Sequence, residues 1–135
     1  MAGFAASAFG AAGVWSCRGE QAVEDHFLIF SGITGLINTV YNNSSATLII
    51  LDNGITAMTG QQHNPASGRT ITGEASRVLD LAALCRAVGV QHVYKVNPHD
   101  VVETRKVLKE AVALEEPSVV IAEAPCVLLP EMKER

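Results

Sequence analysis

The hydrophobic positions of this chain switch between two periods. Ile33, Leu36, Ile37 and Val40 recur at i, i+3, i+4 and i+7, the spacing that lines one helix face, so the pattern predicts a helix opening near Ser31. Asn42-Asn43-Ser44-Ser45 supplies the turn formers that end it. Thr47 to Leu51 then runs on aliphatic and β-branched residues without a polar break, as a strand covered on both faces requires, and it stops at Asp52-Asn53-Gly54. Residues 54 to 73 carry Gly54, Gly60, Pro65, Gly68 and Gly73 among few apolar side chains and read as a twenty-residue structureless loop. In a compact domain a loop of that length generally serves function or is disordered.

The helical period returns from about Glu74. Val78, Leu81, Ala82, Cys85 and Val88 form its inner face, and Gly89 stands where a helix would end. Gln91 to Val96 reads as a strand. Asp100 can cap a further helix while Glu103, three residues on, completes a capping box, and Val101, Leu108 and Ala111 supply the inner stripe. After Pro117, Ser118 to Ala122 is another strand of the fully covered type, followed by Pro125-Cys126-Val127-Leu128-Leu129 and a charged tail. Strand and helix alternate from Ser31 onward, which predicts an α/β fold: a parallel sheet with helices on both faces.

A chain of 135 residues is expected to form one domain, spanning 1–135. With 48% hydrophobic and 18% charged residues it falls in the globular range. A net charge of -4 with scattered Lys and Arg supplies no basic face for nucleic acid. Cys17, Cys85 and Cys126 are odd in number and far apart, with no spacing that suits zinc or an iron–sulfur cluster; they are expected to pack rather than react, in a reducing, cytoplasmic setting. Residues 1 to 16 are apolar and uncharged, but too weakly hydrophobic and too short to span a bilayer, and are expected to form a buried helix of small residues. His26, His63, His92 and His99 are scattered and share no helix face, so they read as surface, turn or strand-end residues, with His26 set apart only because it adjoins Asp25.

In open parallel sheets ligands bind outside the carboxyl ends of the strands. Asn53 directly follows the Thr47 strand, and Asp25 stands before the Ser31 helix, 28 positions earlier. A carboxylate and an amide oxygen are hard donors of the kind Mg²⁺ takes, with phosphate oxygens and water completing its octahedron. Taken alone, such a pair reads as readily as a capping Asp and a turn Asn.

The surrounding residues say more. Ser31-Gly32-Ile33-Thr34-Gly35-Leu36-Ile37-Asn38, Val40-Tyr41-Asn42, Ile49-Ile50-Leu51-Asp52-Asn53 and Thr56-Ala57-Met58-Thr59-Gly60 together resemble the thiamine-diphosphate-binding domain of 2-oxoacid:ferredoxin oxidoreductases, above all the α subunit of the indolepyruvate enzyme. The likeness runs over about residues 25 to 130 and includes Pro65, Gly68-Arg69-Thr70, Gly73-Glu74 and Pro125-Cys126-Val127-Leu128-Leu129. It implies a thiamine-diphosphate-binding fold. It places Asp25, Asn53 and the main-chain carbonyl of Ile55 on Mg²⁺, and Asp25, His26, Phe27, Asn53, Thr56, Met58, Thr59 and Gly60 around the cofactor. The chain departs from the family in one stretch. Glu24-Asp25-His26-Phe27-Leu28-Ile29-Phe30-Ser31-Gly32 stands where the family has Gly-Asp-Ser-Thr-Phe-Phe-His-Ser-Gly, so Glu24 adds a negative charge near a polyanion. Arg18-Gly19-Glu20-Gln21-Ala22-Val23 likewise replaces a strongly apolar family strand.

The resemblance implies oxidative decarboxylation of a 2-oxoacid to an acyl-CoA with electrons passed to ferredoxin. It also implies partners: a pyrimidine-binding domain that supplies the activating glutamate, and an iron–sulfur module, neither contained in these residues. The chain is therefore expected to be part of a larger enzyme, inactive alone and open to self-association. The rival expectation is a non-catalytic interaction or regulatory domain that keeps the fold with an altered cofactor site.

Overall fold

The computed structural model describes residues 20–24, 28–56 and 60–127, with backbone alone for β1 and Phe30. The expected small-residue helix over 1 to 16 lies outside them. Four parallel strands, β1 (Glu20–Glu24), β2 (Thr47–Asp52), β3 (His92–Val96) and β4 (Ser118–Glu123), form one sheet in the order β1-β2-β4-β3. Three α-helices connect them: α1 (Ile33–Tyr41), α2 (Leu81–Ala87) and α3 (Val101–Val112).

β4 shows why both faces are covered. Its side chains alternate, and Ser118 to Ala122 are all buried. Val119 and Ile121 join Leu48 and Ile50 of β2, Leu36 of α1, Leu28, Val90, and Leu81, Ala82 and Cys85 of α2 in one core. Val120 and Ala122 face the other way and pack with Val96 of β3 and Val107 and Ala111 of α3 in a second. The parallel sheet covered on both faces is thus the one the alternation predicts. A small polar knot ties α3 to the sheet: the Thr47 and Ser118 hydroxyls lie 3.0 Å apart, and both donate to the Ala111 carbonyl. Each buried hydroxyl thereby keeps a partner.

Several expectations need correction. β2 is covered only in part, because α3 lies against β3 and β4 and leaves Leu51 45% exposed. α1 is preceded by a π-helical turn from Leu28 to Gly32, so the helical backbone opens before Ser31. That start rotates the stripe: Gly35, Leu36 and Thr39 are buried, Ile33 and Val40 partly, and Ile37 is exposed. α2 does not begin near Glu74. Asp80 is its N-cap and accepts from the N–H groups of Ala82 and Ala83 at 2.9 and 3.1 Å, and the Ala83 bond above all holds its carboxyl below the usual range. Residues 74 to 79 are spent on turn hydrogen bonds, which leaves Val78 exposed although it fits the periodicity.

α3 opens on Asp100 as expected, its Oδ1 accepting from the Glu103 N–H at 3.0 Å. The Asp100 N–H goes to the Asn97 carbonyl, so the cap is one-sided and not the reciprocal box. Val107 and Ala111, with Leu108 partly buried, carry the inner face, and Val101 is 70% exposed. Gly89 ends α2 with a φ of +106°, a conformation that side chains strain to adopt.

Candidate functional site at the carboxyl ends of the strands

All four strands are parallel, so their carboxyl ends form one edge, and the residue register fixes what meets there. Glu24, the last residue of β1, pairs with Leu51, and Asp52 pairs with Glu123 of β4. Asp25 follows Glu24 directly in the chain, and Asn53 follows Asp52. The chain positions next to two of the residues expected on the metal, Glu24 and Asp52, thus lie on neighbouring strands at the same edge. Asp25, His26 and Phe27 themselves, and Met58 and Thr59, lie outside the described residues.

From Asp52 onward the chain folds as a pair of side-chain-capped turns. Asp52 Oδ1 accepts from the Gly54 N–H at 3.0 Å, and Asn53 Oδ1 accepts from the Ile55 N–H at 3.0 Å. Asp and Asn suit this because their short side chains reach the backbone two residues on. The turn is anchored from the other side as well, since the N–H groups of Ala124 and Cys126 donate to the carbonyls of Asp52 and Asn53 at 2.9 and 3.0 Å. The Pro125-Cys126 segment thus holds the start of the candidate site, a task the sequence pattern did not indicate. Asn53 Oδ1 retains a second lone pair for a cation. A Cβ placed on Gly54 would meet no atom within 4 Å, so open space lies beside the Asn53 turn. This donor set, an amide oxygen beside open ground, fits a hard ion and its oxygen-rich ligand.

The stretch expected to be structureless from 54 to 73 is built otherwise. Thr56 and Gln62 exchange backbone hydrogen bonds of 3.0 and 3.1 Å in an antiparallel bridge. Gly60 has a φ of +119°. Asn64 is only 3% exposed: its Oδ1 accepts from the Ala66 N–H at 2.9 Å and its Nδ2 reaches the Thr56 hydroxyl at 3.4 Å. Ser67 closes the Asn64-Pro65 turn by donating from both N–H and hydroxyl to the Asn64 carbonyl. A second closure follows, with Leu79, Ser76 and Thr70 N–H groups donating to the carbonyls of Pro65, Gly68 and Glu74. The segment is irregular but cross-braced, because its backbone groups find partners within the loop. Asn64 and Gln62 are the positions sequence reasoning missed; the Asn-Pro dipeptide was the available signal.

His63 lies between those two. Its ring is partly buried, and Nδ1 is shielded from solvent with no hydrogen-bond partner among the described residues. His92 instead sits at the sheet edge 3.2 Å from Glu116. Cys85 is fully buried, and that burial pushes its thiol up to about 11, which rules out a thiolate at neutral pH. Among the described residues no group of three His, Cys, Asp or Glu side chains could by itself enclose a metal, and no helix is long and apolar enough to cross a membrane.

Comparison with known proteins identifies the family and the fold. The family model for the thiamine pyrophosphate enzyme, C-terminal TPP-binding domain, matches residues 5–122. Among curated relatives, the indolepyruvate oxidoreductase subunit IorA of Archaeoglobus fulgidus is 40% identical over 107 residues, 79% of this chain and 17% of the relative. The IorA subunit of Methanothermobacter marburgensis is 34% identical over 122 residues, 90% of this chain and 20% of the relative. The chain thus spans about a sixth to a fifth of the length of the curated relatives it matches. The 2-oxoglutarate:ferredoxin oxidoreductase from Magnetococcus marinus superposes with a TM-score of 0.69 at 19% identity, over 76% of this chain and 38% of that one, a likeness of fold. The parallel sheet with its carboxyl-end turns and the match over residues 5–122 lead to one conclusion: this chain belongs to the thiamine pyrophosphate enzyme C-terminal TPP-binding domain family.

Proposed function

We propose that this chain holds the diphosphate and Mg²⁺ of thiamine diphosphate within an indolepyruvate-type 2-oxoacid:ferredoxin oxidoreductase of the cytoplasm. The observation that carries the reading is the β1–β2 register, which ends Glu24 opposite Leu51 and so brings the chain positions preceding Asp25 and Asn53 to one edge. Asp25, Asn53 Oδ1 and the Ile55 carbonyl are the proposed metal donors. The Thr56 and Thr59 hydroxyls, and backbone N–H groups of the turn around Gly60, are the proposed donors to the diphosphate oxygens. His26, Phe27 and Met58 are assigned to the same cofactor surface.

When bound, thiamine diphosphate supplies the carbanion and electron sink for decarboxylation. The chain's own task is to orient it: the Asp52 and Asn53 turns fix the backbone that faces the diphosphate, and the 124–126 segment keeps those turns in place. The proton relay on the aminopyrimidine needs a carboxylate within about 3 Å of it, which we assign to a pyrimidine-binding partner domain. Electron transfer to ferredoxin is assigned to an iron–sulfur module on another segment or chain, and acyl transfer to CoA gives the product.

Reconstitution tests this. Indolepyruvate-dependent dye reduction is expected to be absent for the chain alone and to appear when a relative's pyrimidine-binding and iron–sulfur segments are added with thiamine diphosphate, Mg²⁺ and CoA. Turnover by the chain alone, or none in any mixture that assembles, contradicts the proposal.

A further inference from the structure

We propose that Asn64 is a positioning residue for the diphosphate: by donating from Nδ2 to the Thr56 hydroxyl oxygen, it turns the Thr56 O–H away from itself and towards a phosphate oxygen. This rests on the thiamine-diphosphate reading, in which Thr56 is a donor to the diphosphate, and adds the residue that sets the direction of that donor.

One backbone group fixes the polarity. The Ala66 N–H can only donate, and it lies 2.9 Å from Asn64 Oδ1, so the amide nitrogen is the end that faces Thr56, at 3.4 Å. An amide nitrogen offers no lone pair, so the Thr56 oxygen accepts in that contact and its hydrogen points elsewhere. Thr56 is only partly buried, and among the described residues no acceptor takes that hydrogen. With the amide reversed, Thr56 would donate to Asn64 and present only lone pairs to a phosphate, which repels them.

Both partners are held in place. Asn64 is 3% exposed; its N–H donates to the Ser67 hydroxyl at 3.2 Å, and its carbonyl accepts from the Ser67 N–H and hydroxyl at 2.9 and 2.7 Å. Thr56 is bonded through its own N–H and carbonyl to Gln62. The hydroxyl is therefore oriented before a ligand arrives, and a donor fixed in advance costs little reorganisation on binding.

The residue type carries the same sense. Asp would close the turn on Ala66 as well as Asn does, but it has no hydrogen to give Thr56 and would bury a charge. From Asn53 to Gly68 the sequence contains no Lys or Arg. This segment therefore meets a diphosphate with hydroxyl and N–H groups, whose strength depends on where the hydrogen points.

Calorimetric titration of the purified chain with thiamine diphosphate in Mg²⁺ tests this over a cycle of wild type, Thr56→Val, Asn64→Ser and the double variant. Serine at 64 can still accept the Ala66 N–H and keep the turn, but brings no amide to Thr56. Thr56→Val removes the hydroxyl at nearly constant shape and should weaken binding about 10-fold; Thr56→Ser, which retains it, should stay within about 2-fold of wild type. Asn64→Ser should weaken binding about 3-fold, because the hydroxyl hydrogen must then be fixed in one of three staggered positions when the ligand binds. In the Thr56→Val background the same substitution should change nothing, since no hydroxyl is left to orient. A loss at residue 64 that is equal in both backgrounds marks a brace that does not act through Thr56 and overturns the inference. Binding by Thr56→Val equal to that of wild type does the same, and either result leaves the cofactor reading standing. The side-chain amide resonance of Asn64 gives a readout with residue 64 intact: at saturation it should shift more in wild type than in Thr56→Val, and equal shifts count against the inference. Absence of binding by the wild type overturns both readings.

Discussion

Replacing Asn64 by Ala removes the side chain that braces the candidate site, and the structure sets the size of the effect. The side-chain hydrogen bonds lost include one of 2.9 Å from the Ala66 N–H to Oδ1 and a longer one of 3.4 Å from Nδ2 to the Thr56 hydroxyl. Asn64 is 3% exposed, so water replaces these partners poorly. At about 1 kcal/mol for the shorter bond, a few tenths for the longer, and some penalty for the orphaned Ala66 N–H, the loss comes to roughly 2 kcal/mol. For a domain of this size, roughly 4 °C accompanies each kcal/mol, so the melting temperature should fall by about 8 °C. Melting followed by circular dichroism at pH 7.5 reads the variant directly. A fall of under 2 °C for Asn64→Ala would refute the assignment of Asn64 Oδ1 as the brace.

Cys85, whose thiol is pushed up to about 11 by burial from an ordinary 9.0, favours the folded state only while protonated. That stability is complete below pH 9 and is lost as pH rises through 11, amounting to roughly 2 kcal/mol by pH 10.5; melts at pH 8 and 10.5 should show this part of the alkaline loss disappear in Cys85→Ala, and an identical loss in both proteins contradicts it. Gly89→Ala should destabilise by about 2 kcal/mol, because its φ of +106° disfavours any side chain and the new Cβ would lie 3.0 Å from Val40 Cγ1; an unchanged urea midpoint would contradict it.

What the sequence disclosed follows from how strongly each segment depends on one local signal. β4 is a continuous run of Val119, Val120 and Ile121 because both of its faces are covered, and that demand is visible residue by residue. α3 announces itself through Asp100, whose cap is a local interaction. β1 is illegible for the opposite reason. Glu20-Gln21-Ala22-Val23-Glu24 has neither alternation nor an apolar run, and among the described residues what defines it is backbone pairing along β2.

The false start of α2 arises because Val78 falls in phase with Leu81, Ala82 and Cys85 by coincidence. The hydrogen bonds of Ser76 to Gly68 and Leu79 to Pro65 hold that segment extended against residues far behind it, which no window along the chain can reveal. In the candidate site, Asn53 and Thr56 were legible through resemblance and strand-end position. The support beneath them was not, since Asn64 and Cys126 act across separations of 8 and 73 residues.

The proposal that the carboxyl ends of β1 and β2 hold Mg²⁺ and a diphosphate is tested most directly by titrating the purified chain with thiamine diphosphate in Mg²⁺ and again in EDTA. Saturable one-site binding is expected with Mg²⁺ and should disappear in EDTA. The loss for Asp25→Ala should exceed that for Asn53→Ala, because Asp25 is the one carboxylate assigned to the ion. Binding that is equal in EDTA and unaffected by either substitution would contradict the site, and no binding at all under Mg²⁺ would instead favour a non-catalytic domain that keeps the fold.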